Sequence, residues 1–417
     1  MHETHLVVQT REIDPVEDLL AYADPARPLA WLRRGDGIVA VGSEALAEIR
    51  LPAQHEGSRT AAISTAWRGL AAAAEVDDPV HLPGTGLVAF GAFVFDEQSG
   101  ADSVLVIPGE VIGRHGDTFW RTTIALADAP RVADPAVRGY GPHWAGTLGP
   151  GAQSPQGYQD AVRGALERIA AGELSKVVLA RDLTGSIPSG SDLRRLVREL
   201  STGYPDTWIF AVDGLIGASP ETLVTVSGGT VTARVLAGTI GRGADPDADT
   251  LASAALASSA KDLDEHQYAV QSVLTVLRPH TRALAASEQP FLLKLPNLFH
   301  LATDVEAELA DGETALELVD ALHPTAAVAG TPTAAALDAI RALEPFDRGR
   351  YAGPVGWVDG EGNGEWAIAL RCAQFTASSD SVSVTAYAGA GIVAGSDPET
   401  ELLETRVKFR PLVDALA

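Results

Sequence analysis

Runs of apolar, strand-like residues in this chain come in adjacent groups, and the helical stretches gather between those groups instead of alternating with single strands. One-for-one alternation would build βαβ units around a parallel sheet, whereas grouped strands with segregated helices specify an α+β fold. Residues 1–147 are a patchwork of short apolar runs such as GLVAFGAFVF and SVLVIPG, with one alanine-rich helical stretch near 61–75. Gly and Pro are dense from Leu148 to Gly157, which predicts a linker or long loop. Beyond it Tyr158, Val162, Ala165, Leu166 and Ile169 fall at helical spacing, and Gly172 supplies a stop. Lys176 to Arg181 reads as a strand, and residues 207–242 read as strands joined by tight turns, with Gly228 and Gly229 marking one hairpin. A long helix is predicted from an Asp249 N-cap to Leu277, with shorter helices near 313–322 and 333–343. GPVGWVDGEGNGEWAIALRCAQF reads as a strand, a glycine-rich turn and a second strand. A further strand ends at Tyr387, and the last helix starts from Asp397 as N-cap with Pro398 in its first turn.

Composition narrows the function classes. A length of 417 residues would by itself suggest two or three domains. A net charge of −24 argues against nucleic acid and anionic membranes as partners, because both need a cationic face. An anionic small ligand then needs a local cluster of Lys or Arg, or a bound cation. The single cysteine, Cys372, excludes an internal disulfide and fits a reducing compartment. The first residues carry no basic segment followed by an apolar stretch, and no apolar run is long enough to span a bilayer. A soluble cytoplasmic protein is expected.

Several glycine-rich motifs lack the context their chemistry requires. A calcium loop starting at Asp359 would need glutamate at its twelfth position, which is Leu370. GAGIVAG at 389–395 departs from the dinucleotide-binding glycine spacing and has no parallel βαβ unit around it. GASPE around Ser219 is not a nucleophile elbow, and no phosphate-binding Walker A loop is present.

Charge chemistry gives a sharper signal. Of the 31 basic residues only Lys176, Lys261, Lys294 and Lys408 are lysine, leaving 31 − 4 = 27 arginines. Arginine keeps its proton in a protein, whereas a buried lysine can act as a base. Lys176 shares a strand face with Val178 and Ala180 and is either an edge-strand gatekeeper or a desolvated general base. Glu221, in GASPETLV, is either a turn carboxylate or an acid kept protonated by burial. Glu401, Glu404 and Lys408 fall at i, i+3 and i+7 of the last helix, and Asp262 and Glu265 repeat the i, i+3 spacing in the long one. Glu404 and Lys408 have the favoured orientation of a solvated helix pair, yet two acidic faces could also converge on a hard cation. Spacing does not choose between them. Arg371 lies in the apolar run AIALRCA and wants a buried carboxylate, from the protein or from a ligand. His300, in LFHLATD, is either a satisfied core histidine or a site residue.

In this order, KVVLAR, GASPETLV, LAGTIGRG, SSAKDLDEHQ, LFHLATDV, HPTAAVAGTP, EPFDRGRYAGPVGW, GNGEWAIALRCA and AGAGIVAGSDPETELLETRVK resemble the chorismate-utilising enzymes, the family of anthranilate, aminodeoxychorismate, isochorismate and salicylate synthases. The resemblance covers roughly residues 158–410. It implies layered antiparallel sheets flanked by helices, as in anthranilate synthase component I. Residues 1–150 would be a strand-rich portion and residues 151–417 the chorismate-binding portion of one integrated domain. It also implies Mg²⁺ as cofactor, held by Glu265 and Glu404 with Asp262 and Glu401 beside them. The substrate wall would comprise Arg371, Tyr351, Lys408 and the backbone near Gly238, Gly389 and Gly391, with His300 close to the reacting ring. Glycine there permits close approach of amides to an anion.

Within that family, the members that add ammonia lack a lysine at position 176, whereas those that add water have one. The chain thus resembles the isochorismate synthases: Lys176 would deprotonate water for attack at C2 and Glu221 would protonate the departing C4 hydroxyl. A salicylate synthase, which goes on to eliminate pyruvate, is the alternative, and His323 at the start of HPTAAVAG, where salicylate-forming members carry an aromatic, weighs against it. A non-catalytic chorismate-binding protein would not need the acid and base. No glutamine amidotransferase subunit is implied, and a monomer is the expectation.

Overall fold

Two sheets, almost wholly antiparallel, organise the chain, one of 13 strands and one of 10 among the described residues. The computed structural model describes residues 5–42, 45–127, 135–294 and 298–417, apart from the side chains of Thr239, Lys261, Glu265 and Leu298. The first sheet runs from Thr147–Pro150 through Lys176–Pro188, Ser381–Ile392, Cys372–Ala377, Leu215–Ser219 and Trp208–Val212, and continues into Ala30–Arg33, Asp36–Ala40 and further early strands. The second runs from Thr281–Ala286 through Leu298–Leu309, Thr230–Gly241, Thr222–Ser227, Gly364–Ile368 and Pro354–Asp359 into Val88–Ala92, Ser103–Pro108 and Ala45–Leu51. Early and late strands hydrogen-bond directly in both: Phe210 pairs with Trp31, and Trp357 with Phe90. This is the α+β architecture expected from the grouping of strands.

Eight helices cover the sheets among the described residues: α1 (Arg59–Ala73), α2 (Pro155–Ala170), α3 (Arg194–Gly203), α4 (Pro246–Ser258), α5 (Ala260–Leu277), α6 (Ala315–Leu322), α7 (Thr333–Leu343) and α8 (Pro398–Leu416). None is long and apolar enough to cross a membrane. Trp31, Phe90, Phe210, Trp357 and Trp366 belong to one buried cluster fed by both sheets. Trp31 and Trp357 both donate their indole N–H to Glu365, at 2.8 and 3.1 Å, so one carboxylate ties the two sheets together. The outer face of the first sheet is covered by α3 and α8, through Leu196, Leu200, Phe409 and Leu412.

Three expectations need correction. The stretch Leu148–Gly157 is not a linker: Thr147–Pro150 pairs with Leu183–Ser186, and Ser154 caps α2 by accepting from Gly157 N at 3.0 Å. The long helix from Asp249 is two helices. Asp245 caps α4, Ser259 leaves helical geometry (φ −73°, ψ 107°) and caps α5, and Asp249 instead binds Arg242. The run GEWAIALRCAQF is not one strand. It leaves the second sheet after Ile368, turns at Arg371 with φ 50°, and joins the first sheet at Cys372.

Gly91 and Gly356 pair across adjacent strands and leave a slot for the Trp366 ring. A Cβ at Gly91 would lie 2.3 Å from Trp366 Cη2, and that ring is fully buried. Gly91→Ala is therefore expected to cost roughly 1–3 kcal/mol through overpacking, read as a fall of several degrees in the thermal unfolding midpoint. An unchanged midpoint would contradict this account of the slot.

Candidate active site

The longest pairing in the first sheet builds one wall of the site. Lys176–Pro188 and Ser381–Ile392 run antiparallel in unbroken register, with Val178 opposite Gly391 and Ala180 opposite Gly389. Alternation along the strand sends Lys176 and Val178 to the same side, where both line a cavity of about 510 Å³. Lys176 is half-buried and is not an edge gatekeeper, because at its end of the strand Gly330–Thr331 lies on one side and Ser381–Ile392 on the other. A Cβ at Gly391 would sit 3.3 Å from Lys176 Cε, and one at Gly389 would sit 3.2 Å from the Tyr351 hydroxyl. These glycines make room for the side chains that converge on the cavity.

Glu221 enters the cavity from the turn between Leu215–Ser219 and Thr222–Ser227, where the chain passes from the first sheet to the second. Burial pushes its carboxyl up to about 7, although Lys176, Lys408 and Arg371 pull in the opposite direction. Near neutral pH it can therefore hold and give a proton.

Arg371 faces the cavity at the kink between the sheets. Among the described residues no carboxylate comes within ion-pair distance of it; Glu221 and Glu404 act on it only through space. The carboxylate that a buried guanidinium wants is left to a ligand. Tyr351 lines the same wall, stacked on Tyr387 with centroids 5.1 Å apart. Burial and the charges of Lys408 and Arg371 hold His300 down at about 4, so it stands neutral, with its ring bonded to the backbone of Gly238. Gly238 is the bulged residue of its strand, at φ 78°, where the register with Leu298–Leu309 shifts.

The acidic side is formed by Asp262 of α5 and by Glu401 and Glu404 of α8, all lining the cavity. The side chain of Glu265 lies outside the described residues. Lys408 does pair with Glu404 at 2.7 Å, as the helical spacing suggested, but inside the cavity wall, and it also donates to the Gly389 carbonyl at 2.8 Å. Burial and the neighbouring Glu404 raise the pKa of Glu401. Carboxylates held part-buried against each other suit a hard divalent cation, although no complete ligand cluster occurs among the described residues.

The cavity thus gathers twelve of the thirteen residues expected from the sequence, and the thirteenth is Glu265, whose side chain is outside the described residues. It also includes residues that sequence reasoning passed over, chiefly Arg348 and Tyr387. The one available signal for Arg348 was Glu344 four positions earlier, which is the spacing of a helical ion pair. His323, the residue weighed against salicylate formation, is absent from the cavity lining and bonds the Phe95 carbonyl at 3.2 Å.

A family model described as chorismate binding enzyme matches residues 147–417. The chain belongs to that family. It is 44% identical over 274 residues to the isochorismate synthase DhbC of Bacillus subtilis (strain 168), covering 63% of this chain and 68% of that relative. It is 35% identical over 446 residues to the salicylate biosynthesis isochorismate synthase of Pseudomonas aeruginosa, covering 99% of this chain and 90% of that relative. The solved structure of MenF, the menaquinone-specific isochorismate synthase of Escherichia coli, superposes with a TM-score of 0.78 at 24% identity, covering 99% of this chain and 95% of that one, and supports the fold. The family match begins at residue 147, so it spans every cavity residue named here.

The elevated Glu221 carboxyl makes a claim about stability. Its folded pKa of about 7 lies above the usual carboxylate value of 4.5, so the protonated form favours folding. That contribution is fully present below about pH 4.5 and is lost as pH rises to about 7. Glu221→Gln is expected to stabilise the protein at pH 8, with the difference from wild type shrinking as pH falls through that window. Denaturant midpoints at several pH values check this, and a difference that does not vary with pH would show that the carboxyl is not elevated.

Proposed function

We propose that the protein is an isochorismate synthase, converting chorismate to isochorismate by adding water at C2 with loss of the C4 hydroxyl. One observation carries the reading: a lysine, Lys176, and a carboxyl pushed up to about 7, Glu221, share a cavity with an arginine, Arg371, that has no carboxylate partner of its own among the described residues. The identities to isochorismate synthases support it.

In this reading Arg371 receives a carboxylate of the dianion, and Tyr351 closes the wall behind it. Lys176 takes a proton from the attacking water as its oxygen bonds to C2. The ring double bonds shift, the C4–O bond breaks, and Glu221 protonates the departing hydroxyl so that it leaves as water. The nucleophile is water and cannot attack without a base. Neutral His300 adds no positive charge beside the ring.

Asp262, Glu401 and Glu404, with Glu265, would hold Mg²⁺, and the bound ion would supply positive charge opposite a substrate carboxylate. In a protein of net charge −24 that ion would add to Lys176, Arg371 and Lys408 in making the cavity locally favourable for a dianion.

Purified protein incubated with chorismate and Mg²⁺ is expected to yield isochorismate, identified by chromatography. Salicylate with pyruvate would point to the salicylate synthase activity, and unreacted chorismate to a binding protein. Lys176→Ala is expected to lower kcat by about 10²- to 10⁴-fold while calorimetry still detects chorismate binding. Retained turnover in that variant would remove Lys176 from the base role.

A further inference from the structure

The strand that carries Lys176 lacks a neighbour along part of one edge. Gly330–Thr331 pairs with Lys176 and Val177, and Thr147–Pro150 pairs from Leu183 onward; between them no strand lies on that side among the described residues, and the flanking segments reach only the Val178 N–H, which donates to the Ala329 carbonyl at 2.8 Å, and the Asp182 carbonyl, which accepts from Gly151 N at 3.1 Å. Side chains fill the stretch between those two bonds. Arg348 Nη2 donates to the Val178 carbonyl at 2.7 Å, and Ala180 N donates to Glu344 Oε1 at 2.7 Å. Arg348 and Glu344 grip each other through two bonds, at 2.6 and 2.8 Å, with side chains 3% and 1% exposed. Arg348 Nη1 also donates to the Val328 carbonyl at 3.1 Å, and its guanidinium lies 5.8 Å from the centre of the Tyr351 ring. Val178, Val328 and Tyr351 all line the cavity.

We infer that the Glu344–Arg348 pair stands in for the missing strand and thereby positions the Lys176 amine against the bound ring; this rests on the isochorismate synthase reading. A lone buried ion pair adds little stability relative to apolar residues of the same shape. Its worth here lies in geometry. The planar guanidinium and the carboxylate together satisfy an N–H and a C=O of one strand, the C=O of Val328 in the segment that leads into Gly330–Thr331, and each other, so the strand and that neighbouring segment keep a fixed spacing. Lys176 is two residues from Val178, so its amine follows any movement of that rail. These are positioning residues, since neither has a part in the proposed proton transfers.

The chain has only four lysines, so protein grown with ¹³C,¹⁵N-lysine gives four side-chain signals, and Lys176→Ala assigns one of them. In Glu344→Gln the Lys176 signal is expected to move while those of Lys261 and Lys294 stay. On the order of a 10- to 100-fold loss in kcat is expected, the scale of a misplacement near 1 Å, with KM for chorismate within about threefold because Arg371 and α8 are untouched. Should Glu344→Gln fail to fold, the double variant Glu344→Gln/Arg348→Met removes the buried charge and the strand contacts together, and the same shifts are expected. A folded variant of either kind with an unmoved Lys176 signal and wild-type kcat, whatever its melting temperature, overturns the inference. Wild-type protein that forms no isochorismate would instead remove the reading on which it rests, and the lysine signals would still decide whether the pair holds Lys176.

Discussion

Twelve consecutive residue pairs between Lys176–Pro188 and Ser381–Ile392 hold the site together. The two strands are about two hundred residues apart in sequence, and their pairing brings the lysine to the glycines that accommodate it. Register matters more than contact here: a slip of one residue would send Lys176 to the opposite face of the sheet. The small residues of AYAGAGI serve the same end, because a side chain at Gly389 would meet Tyr351 and one at Gly391 would meet Lys176. This wall of the cavity is thus a consequence of strand pairing.

Electrostatics divides the cavity into two sides. Lys176, Glu221 and Arg371 come from the strands and their turns, while Asp262, Glu401 and Glu404 come from helices. Lys408 belongs to both sides, bonded to Glu404 and to the Gly389 carbonyl, and so pins α8 to the long strand. A dianion placed between them meets donors on one side and, with a cation present, positive charge on the other. The acidic surface of the whole protein is then no obstacle to binding it.

Much of this was legible in the sequence, and the failures have physical causes. Helices with clear caps were found: Asp397 with Pro398 starts α8, and Gly172 at φ 77° follows the end of α2. Periodicity could not see the break at Ser259, because the apolar and charged pattern continues through it while one serine abandons helical geometry to cap the next helix. Gly and Pro density misled at residues 148–157, where the glycine and proline sit on an edge strand that pairs along one side only. The Glu344–Arg348 pair was hidden because its partners are backbone groups of a distant strand, and backbone partners leave no trace in residue types. Glu265 is the converse case: the sequence singles it out, yet its side chain lies outside what the structure describes.

The kink at Arg371 explains why a charged residue interrupts an apolar run. A chain that continued straight from Gly364–Ile368 would stay in the second sheet, and Cys372–Ala377 could not pair with Leu215–Ser219 in the first. Arg371 at φ 50° makes the turn, and Ala352 at φ 62° lies beside it in the cavity wall, donating its N–H to the Ala369 carbonyl at 2.9 Å. Left-handed backbone at two residues that are not glycine costs on the order of 1–3 kcal/mol each and persists where the surroundings fix it. Glycine at 371 would relieve that strain but would leave the cavity without this guanidinium. The strain is therefore tied to ligand recognition: the same turn that moves the chain from one sheet to the other points a cation, with no carboxylate partner among the described residues, at the place where an anion would lie.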